Sequence, residues 1–177
     1  LGHVEAGKAM NKGRQFLING SAHNIPFPDR FFHTACTSPP YYSLRKYAGE
    51  QEVDWPTVTY YPMPGMPYTR IEAMRCALGL EPTPESYIGH LVLCFREVKR
   101  VLREDGICWI IMGDSFAGSG RGPTGYNGIG NQEQRQGFHS PKLGESSLEP
   151  GNLMLIPHRL ALALQSDGWL VRNDVVW

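Results

Sequence analysis

Apolar residues gather in short runs separated by turn signals over most of the chain. Gln15-Phe16-Leu17-Ile18 reads as a short strand that stops at Asn19-Gly20, and Phe31-Phe32-His33-Thr34-Ala35-Cys36 reads as a second. The second run ends abruptly at Thr37-Ser38-Pro39-Pro40, because tandem prolines offer no N–H to a central ladder. From Thr83 the period changes. Tyr87, Leu91, Phe95, Val98 and Leu102 recur at spacings of four, four, three and four, which predicts one apolar stripe of a helix. Thr83 can cap it, Pro84 suits the first helical position, Glu85 favours the positive end of the dipole, and Asp105-Gly106 ends it. Ile107 to Met112 is continuously apolar and of buried-strand length. A helix beginning near Pro157, with Leu160, Ala161 and Leu164 on one side, stops at Asp167-Gly168. Trp169 to Trp177 then reads as a final strand or strand pair. Strand, strand, helix, strand, helix, strand predicts an α/β fold with a mostly parallel sheet and a helical crossover.

Composition changes this picture where it is uneven. Of 14 prolines, eight lie between Pro39 and Pro84, so residues 43–84 are expected to form a long proline- and aromatic-rich excursion, ordered in part, rather than a packed element. Of 20 glycines, ten lie between Gly113 and Gly151, so residues 115–150 are expected to form a flexible loop. The 177 residues suit a single domain, and 41% hydrophobic residues exclude wholesale disorder. Seventeen Lys+Arg balance seventeen Asp+Glu, which excludes binding of a polyanion by bulk charge but not by a local patch. Within the glycine-rich loop, Arg121, Arg135 and Lys142 are spaced to reach phosphates and base edges, although Glu133, Glu145 and Glu149 offset them. An idle linker is the competing reading of the same loop. The basic run from Arg96 to Arg103 reads as a solvated helix face.

Cys36, Cys76, Cys94 and Cys108 form no CxxC pair and suit reduced thiols in a cytoplasm, with Cys36 expected to be a small core thiol. The histidines have no metal-ligand spacing, His90 is expected on the helix surface, and no metal site is expected. No apolar run is long enough to span a membrane, and the sequence as given opens with no signal peptide. The chain opens on Leu1 and closes inside the apolar run Val175-Val176-Trp177, from which a single but incomplete domain, 1–177, is expected.

The densest chemistry falls at the end of the second strand, where ligands of open α/β sheets collect. In Ser38-Pro39-Pro40-Tyr41 the prolines fix φ and donate nothing, so neighbouring carbonyls become rigid acceptors. A hydroxyl adds another acceptor and the tyrosine a flat face. Acceptors aimed at an amino group beside an aromatic plate suit a heterocyclic amine lifted out of a duplex.

Ser38-Pro39-Pro40-Tyr41 resembles motif IV of the DNA amino-methyltransferases, which methylate cytosine N4 or adenine N6. The resemblance extends through Gly20-Ser21-Ala22, Ile25-Pro26 and Thr37 to Tyr47, then Leu80 to Tyr87 and Phe95-Arg96-Glu97-Val98. It continues through Val101 to Gly106, Gly113-Asp114-Ser115, and Asp167-Gly168-Trp169 to Trp177, covering most of the chain from Phe16 onward. It implies a partial Rossmann-like S-adenosylmethionine-dependent methyltransferase fold with long loops, of the permuted class with motif IV near the N-terminus. By that likeness Ser38 and Pro39 orient the target amine, Pro40 shapes the turn, and Tyr41 stacks on the flipped base. S-adenosylmethionine would be the methyl donor, contacted by Ser21, Thr37 and Asp114. Ser21 stands where the family usually has an acidic residue, and the family's Gly-rich cofactor loop is expected downstream of Trp177. Serine at position 38 favours cytosine N4, with adenine N6 or a non-catalytic DNA-binding remnant as alternatives. The implied partners are double-stranded DNA and a cognate restriction endonuclease, in a prokaryotic or phage-encoded cytoplasmic setting.

Overall fold

A computed structural model of the chain describes residues 17–43, 52–117 and 148–176. Its elements follow in the order β1 (Phe32–Thr37), β2 (Glu52–Trp55), β3 (Val58–Tyr60), β4 (Thr69–Ile71), β5 (Met74–Ala77), α1 (Pro84–Val101), β6 (Leu102–Ile110) and α2 (Ile156–Ser166). The expected α/β class is present. β1 and β6 pair in parallel, from Thr34 opposite Ile107 to Thr37 opposite Ile110, with α1 in the crossover between them.

α1 begins where its residues dictate. Thr83 Oγ1 accepts the Ser86 N–H at 3.1 Å, Pro84 opens the first turn, and Glu85 follows it. The helix ends earlier than expected, at Val101 rather than at Asp105-Gly106. The carbonyls of Arg100 and Val101 are taken by the N–H groups of Arg30 and Phe31, at 2.9 and 2.8 Å. Sheet pairing therefore captures the chain before the helical period runs out, and Leu102 caps in an extended conformation. Arg103 to Gly106 bulge out as the register shifts between the Phe32–Leu102 and Thr34–Ile107 pairs.

The core is built around α1. Tyr87, Ile88, Leu91, Val92 and Phe95 bury against Tyr42, Val58, Tyr60 and Ile71 and against Met154, Ile156, Leu160, Ala163 and Leu164. On α2 the fully buried alanine is Ala163, while Ala161 is half-buried. The ordered part of the proline-rich excursion is a nested antiparallel ribbon, β2 with β5 and β3 with β4, which packs on α1. Its prolines sit in the turns, Pro56 between β2 and β3 and Pro62, Pro64 and Pro67 between β3 and β4, so the ladders lose no donor. The ribbon closes on the helix at Gly89, where a Cβ would lie 3.1 Å from both Val58 and Ile71.

Two expected strands are not seen among the described residues, and Gln15, Phe16 and Trp177 of those runs lie outside them. Leu17 and Ile18 are exposed, and Leu170 to Val176 form no strand and stay exposed. Apolar residues make a strand only against a partner edge, and among the described residues neither run has one. Among the described residues only one face of the parallel pair is packed. Cys108, Ile110 and Met112 turn toward the core, whereas Ile107, Trp109 and Ile111 are exposed. Cys36, paired with Trp109, lies on this bare side and is exposed rather than a core thiol. Burial raises the thiols of Cys76 and Cys94 to about 12 and that of Cys108 to about 11, so these three stay protonated near neutrality.

The basic face of α1 is structural rather than merely solvated. Arg96 forks onto the Asp167 carboxylate at 2.6–3.0 Å, and Lys99 Nζ donates to the Gly168 carbonyl at 2.8 Å, tying α1 to the end of α2. Arg100 donates to the carbonyls of Ile25 and Phe27 and pairs with Asp29 and Glu97. Among the described residues no helix is long and apolar enough to cross a membrane.

Candidate active site at the end of β1

The ladder between β1 and β6 runs to its limit before the turn begins, with the Ile111 N–H donating to the Thr37 carbonyl at 2.9 Å. Ser38 is then exposed, Pro39 buried, and Pro40 and Tyr41 half-buried. Three supports hold this turn from behind. Tyr87, one turn into α1, donates its phenol O–H to the Pro40 carbonyl at 2.7 Å. Burial, and then the charges of Glu81, Tyr41 and Cys94, push this phenol far above its ordinary value, so it remains a donor at any physiological pH. The Pro40 carbonyl is thereby occupied. The Ser38 hydroxyl and the Pro39 carbonyl accept no protein hydrogen bond among the described residues.

The second support is Gly79, at φ +90°, a conformation that favours glycine. A Cβ there would lie 2.9 Å from the Tyr41 carbonyl oxygen and 3.3 Å from that of Pro40. Its own carbonyl accepts the Ser43 N–H at 2.7 Å. The third support is Gly113, just beyond β6. A Cβ at Gly113 would sit 2.7 Å from Tyr41 Cε2, so the tyrosine ring rests on bare backbone. Next along, Tyr42 is buried against Tyr87 with ring centroids 5.4 Å apart, and burial followed by Glu81 and Glu85 raises its phenol to about 12.

Thr37 and Asp114 lie at the ends of the two neighbouring parallel strands, but Ser21 has its contacts elsewhere. Ser21 Oγ bonds His23 Nδ1 at 2.7 Å, His23 packs on Trp55, and the segment is tied to α1 through Ile25 and Glu97. Asp114 Oδ1 accepts the N–H groups of Ser115 at 2.8 Å and Ile156 at 3.1 Å, which supplies α2 with the N-terminal acceptor that Leu155 lacks. Ser21 Oγ and Asp114 Oδ1 are thus both engaged within the fold. Arg121, Arg135 and Lys142 lie outside the described residues. The base of their loop is described, where the backbone of Ser115 and Ala117 pairs with that of Gly151, Asn152 and Met154.

His90, expected on the surface, is fully buried, because β2 and β5 cover the side of α1 that carries it. It stacks on Trp55 with ring centroids 4.4 Å apart, and its Nδ1 lies 3.0 Å from Glu81 Oε1. Cys76, Glu81 and His90 present ligand atoms within 4.8 Å of one another. Glu81 Oε2 already accepts the Gly79 N–H at 2.8 Å. The three offer one thiol, one carboxylate and one imidazole, three donors against the four of a closed zinc site. Sequence reasoning missed Gly79, Glu81, Tyr87, His90 and Gly113 as parts of the site. His90 appears in it only as a position on a helix, and Glu81, Tyr87 and Gly113 within stretches of family resemblance.

Comparison with known proteins adds a family to this geometry. Residues 32–177 match a protein family described as DNA methylase. The chain belongs to the DNA amino-methyltransferase family. It is 35% identical over 163 residues to the type II methyltransferase M.XycI of Xanthomonas campestris pv. cyanopsidis, covering 91% of this chain and 45% of that protein. It is 32% identical over 163 residues to the type II methyltransferase M.Cfr9I of Citrobacter freundii, again covering 91% of this chain and 45% of the relative. The type II methyltransferase M.SfiI of Streptomyces fimbriatus is 33% identical over 150 residues, covering 85% of this chain and 26% of its own length. The chain therefore spans less than half the length of these relatives. No solved structure matches it. The parallel β1–β6 pair with its helical crossover is consistent with a partial methyltransferase fold of this family.

Proposed function

We propose that this chain carries the amine-binding half of a site-specific DNA methyltransferase that modifies the exocyclic N4 of a flipped cytosine. The observation that carries this reading is the division of acceptors in the turn. Tyr87 occupies the Pro40 carbonyl, while the Ser38 hydroxyl and the Pro39 carbonyl stay free of protein partners among the described residues. A primary aromatic amine has two N–H bonds, and two acceptors held side by side would fix its plane and direct its nitrogen lone pair. Tyr41, seated on Gly113, offers the face on which the extruded ring would stack. Methylation replaces one N–H by N–CH3 and releases a proton, and the remaining N–H keeps one acceptor.

The family implies S-adenosylmethionine as the methyl donor. The similarity to type II methyltransferases supports DNA as the substrate and a cognate restriction endonuclease as a functional partner. Adenine N6 is the alternative target, since Ser38 and Pro39 would accept from either amine. The test is to incubate the full-length gene product with labelled S-adenosylmethionine and duplex DNA of diverse sequence, then identify the methylated nucleoside by mass. N4-methylcytosine is expected. N6-methyladenine would transfer the proposal to the alternative base, and 5-methylcytosine or no methylated base would overturn it.

A further inference from the structure

Glu81 and His90 touch none of the acceptors assigned to the target amine, yet their side chains are wholly buried behind the turn that carries them. A buried carboxylate beside a buried imidazole is costly unless its hydrogen bonds are complete. Glu81 makes two, one with each oxygen: Oε1 faces His90 Nδ1 at 3.0 Å and Oε2 takes the Gly79 N–H at 2.8 Å. Because a carboxylate only accepts, Nδ1 carries the hydrogen. The imidazole is held flat by Trp55, whose planes diverge by only 9°, and Trp55 is fixed by its Nε1–H bond to the Cys76 carbonyl at 3.1 Å. The series then continues from Gly79 to the turn, through its carbonyl to the Ser43 N–H and through its Cα against the carbonyls of Pro40 and Tyr41.

We propose that the Glu81–His90 pair is a positioning device for the catalytic turn, fixing Gly79 so that Gly79 and Tyr87 together set the direction of the Ser38 and Pro39 acceptors. The device rests on the methyltransferase reading for its purpose and on the structure alone for its mechanics. Neither residue meets substrate. They act through a glycine whose missing side chain lets two peptide groups approach.

The mechanics and the purpose are tested separately in the full-length gene product. Hydrogen exchange read by mass spectrometry should show the Gly79 and Ser43 amides protected in the wild type. Both should lose protection at least tenfold in Glu81→Ala, while amides of β1 and β6 stay protected. Unchanged exchange at Gly79 and Ser43 would overturn the proposal whether or not the protein methylates DNA. In the methyl-transfer assay, Glu81→Ala should lower kcat about 100-fold, the cost typical of a 1 Å misplacement, with KM for donor and DNA within about twofold. Glu81→Gln keeps an oxygen for Gly79, and its amide N–H pairs with His90 Nδ1 once the imidazole carries its hydrogen on Nε2, so most of kcat should be recovered. His90→Phe keeps the stack on Trp55, removes the Nδ1 donor and should fall between the two. Equal kcat in all variants, or losses that follow only the folded fraction, would also overturn it. A wild type that methylates no DNA, with the exchange pattern as expected, would sink the function and leave the brace standing.

Discussion

The turns that follow β1 and β6 leave neighbouring strands of one parallel pair, yet they are built differently. The turn after β1 is held by groups that come to it from elsewhere: the Tyr87 phenol, the Gly79 backbone and the bare backbone of Gly113. The turn after β6 works the other way, because Asp114 extends its own carboxylate to cap α2. One strand end is braced from behind, and its Ser38 hydroxyl and Pro39 carbonyl have no protein partner among the described residues. The other spends an oxygen of its charged residue on the fold. The contrast shows where the proposed amine side would be pre-organised, and it explains why Asp114, read from the family resemblance as a cofactor residue, first answers to α2.

The contrast is most severely tested at Gly113, where the second strand end seats the aromatic residue of the first. Gly113→Val should push the Tyr41 ring aside and lower kcat for DNA methylation by about 100-fold, since sub-ångström placement governs such transfers. The melting temperature should move far less, because Tyr41 is only half-buried and can swing outward. Near-normal turnover in this variant would mean that the ring has no required position. Tyr41→Ala removes the stacking face itself. Stacking of a base on an aromatic ring is worth about 1–3 kcal/mol, so turnover should fall by roughly 5- to 150-fold while Tyr41→Phe stays close to wild type. Equal activity of the alanine variant would remove the tyrosine from the site.

How far these features were legible in the sequence follows from what each depends on. The start of α1 was legible because Thr83, Pro84 and Glu85 act on their nearest neighbours. The parallel pair was legible from two apolar runs separated by a helix, and the turn from two prolines that can end a strand but not continue one. The end of α1 was not, since it is decided by Arg30 and Phe31, about 70 residues upstream, taking the last helical carbonyls. The ribbon of β2 to β5 was hidden by its prolines, which mark turns as loudly as they mark loops. His90 looked like a surface residue because the stripe of Tyr87, Leu91 and Phe95 faces elsewhere, and nothing local announces the Trp55 that covers it. Leu17-Ile18 and the run after Trp169 failed in the opposite direction, having strand composition without a partner edge among the described residues.

A smaller effect is expected where the brace is a single hydrogen bond. Tyr87→Phe deletes the donor to the Pro40 carbonyl but keeps the ring against Tyr42. Stability should fall by about 1 kcal/mol, the usual net worth of such a bond, and kcat several-fold, because Gly79 still holds the same turn. Chemical denaturation and steady-state kinetics on one preparation would read both. If kcat were untouched while stability fell, Tyr87 would belong to the fold and not to the site, and the two strand ends would be more alike than they look.

The smallest effect, and the one that bears most directly on the difference between the two turns, is at Asp114. If its task is to cap α2, an oxygen acceptor suffices and the charge is secondary. Asp114→Asn should then preserve the melting temperature, whereas Asp114→Ala should lose about 1 kcal/mol, a shift of roughly 2–4 °C for a domain of this size. Methyl transfer supplies the second axis. A stable Asp114→Asn variant with normal KM for S-adenosylmethionine would leave the end of β6 a purely structural element, and the donor would have to be held by other residues. A stable variant whose KM for the donor rises tenfold or more would give Asp114 two roles, Oδ1 for the helix and Oδ2 for the cofactor. In that case both strand ends would face ligand, one through groups braced from behind and the other through a carboxylate that braces its own helix.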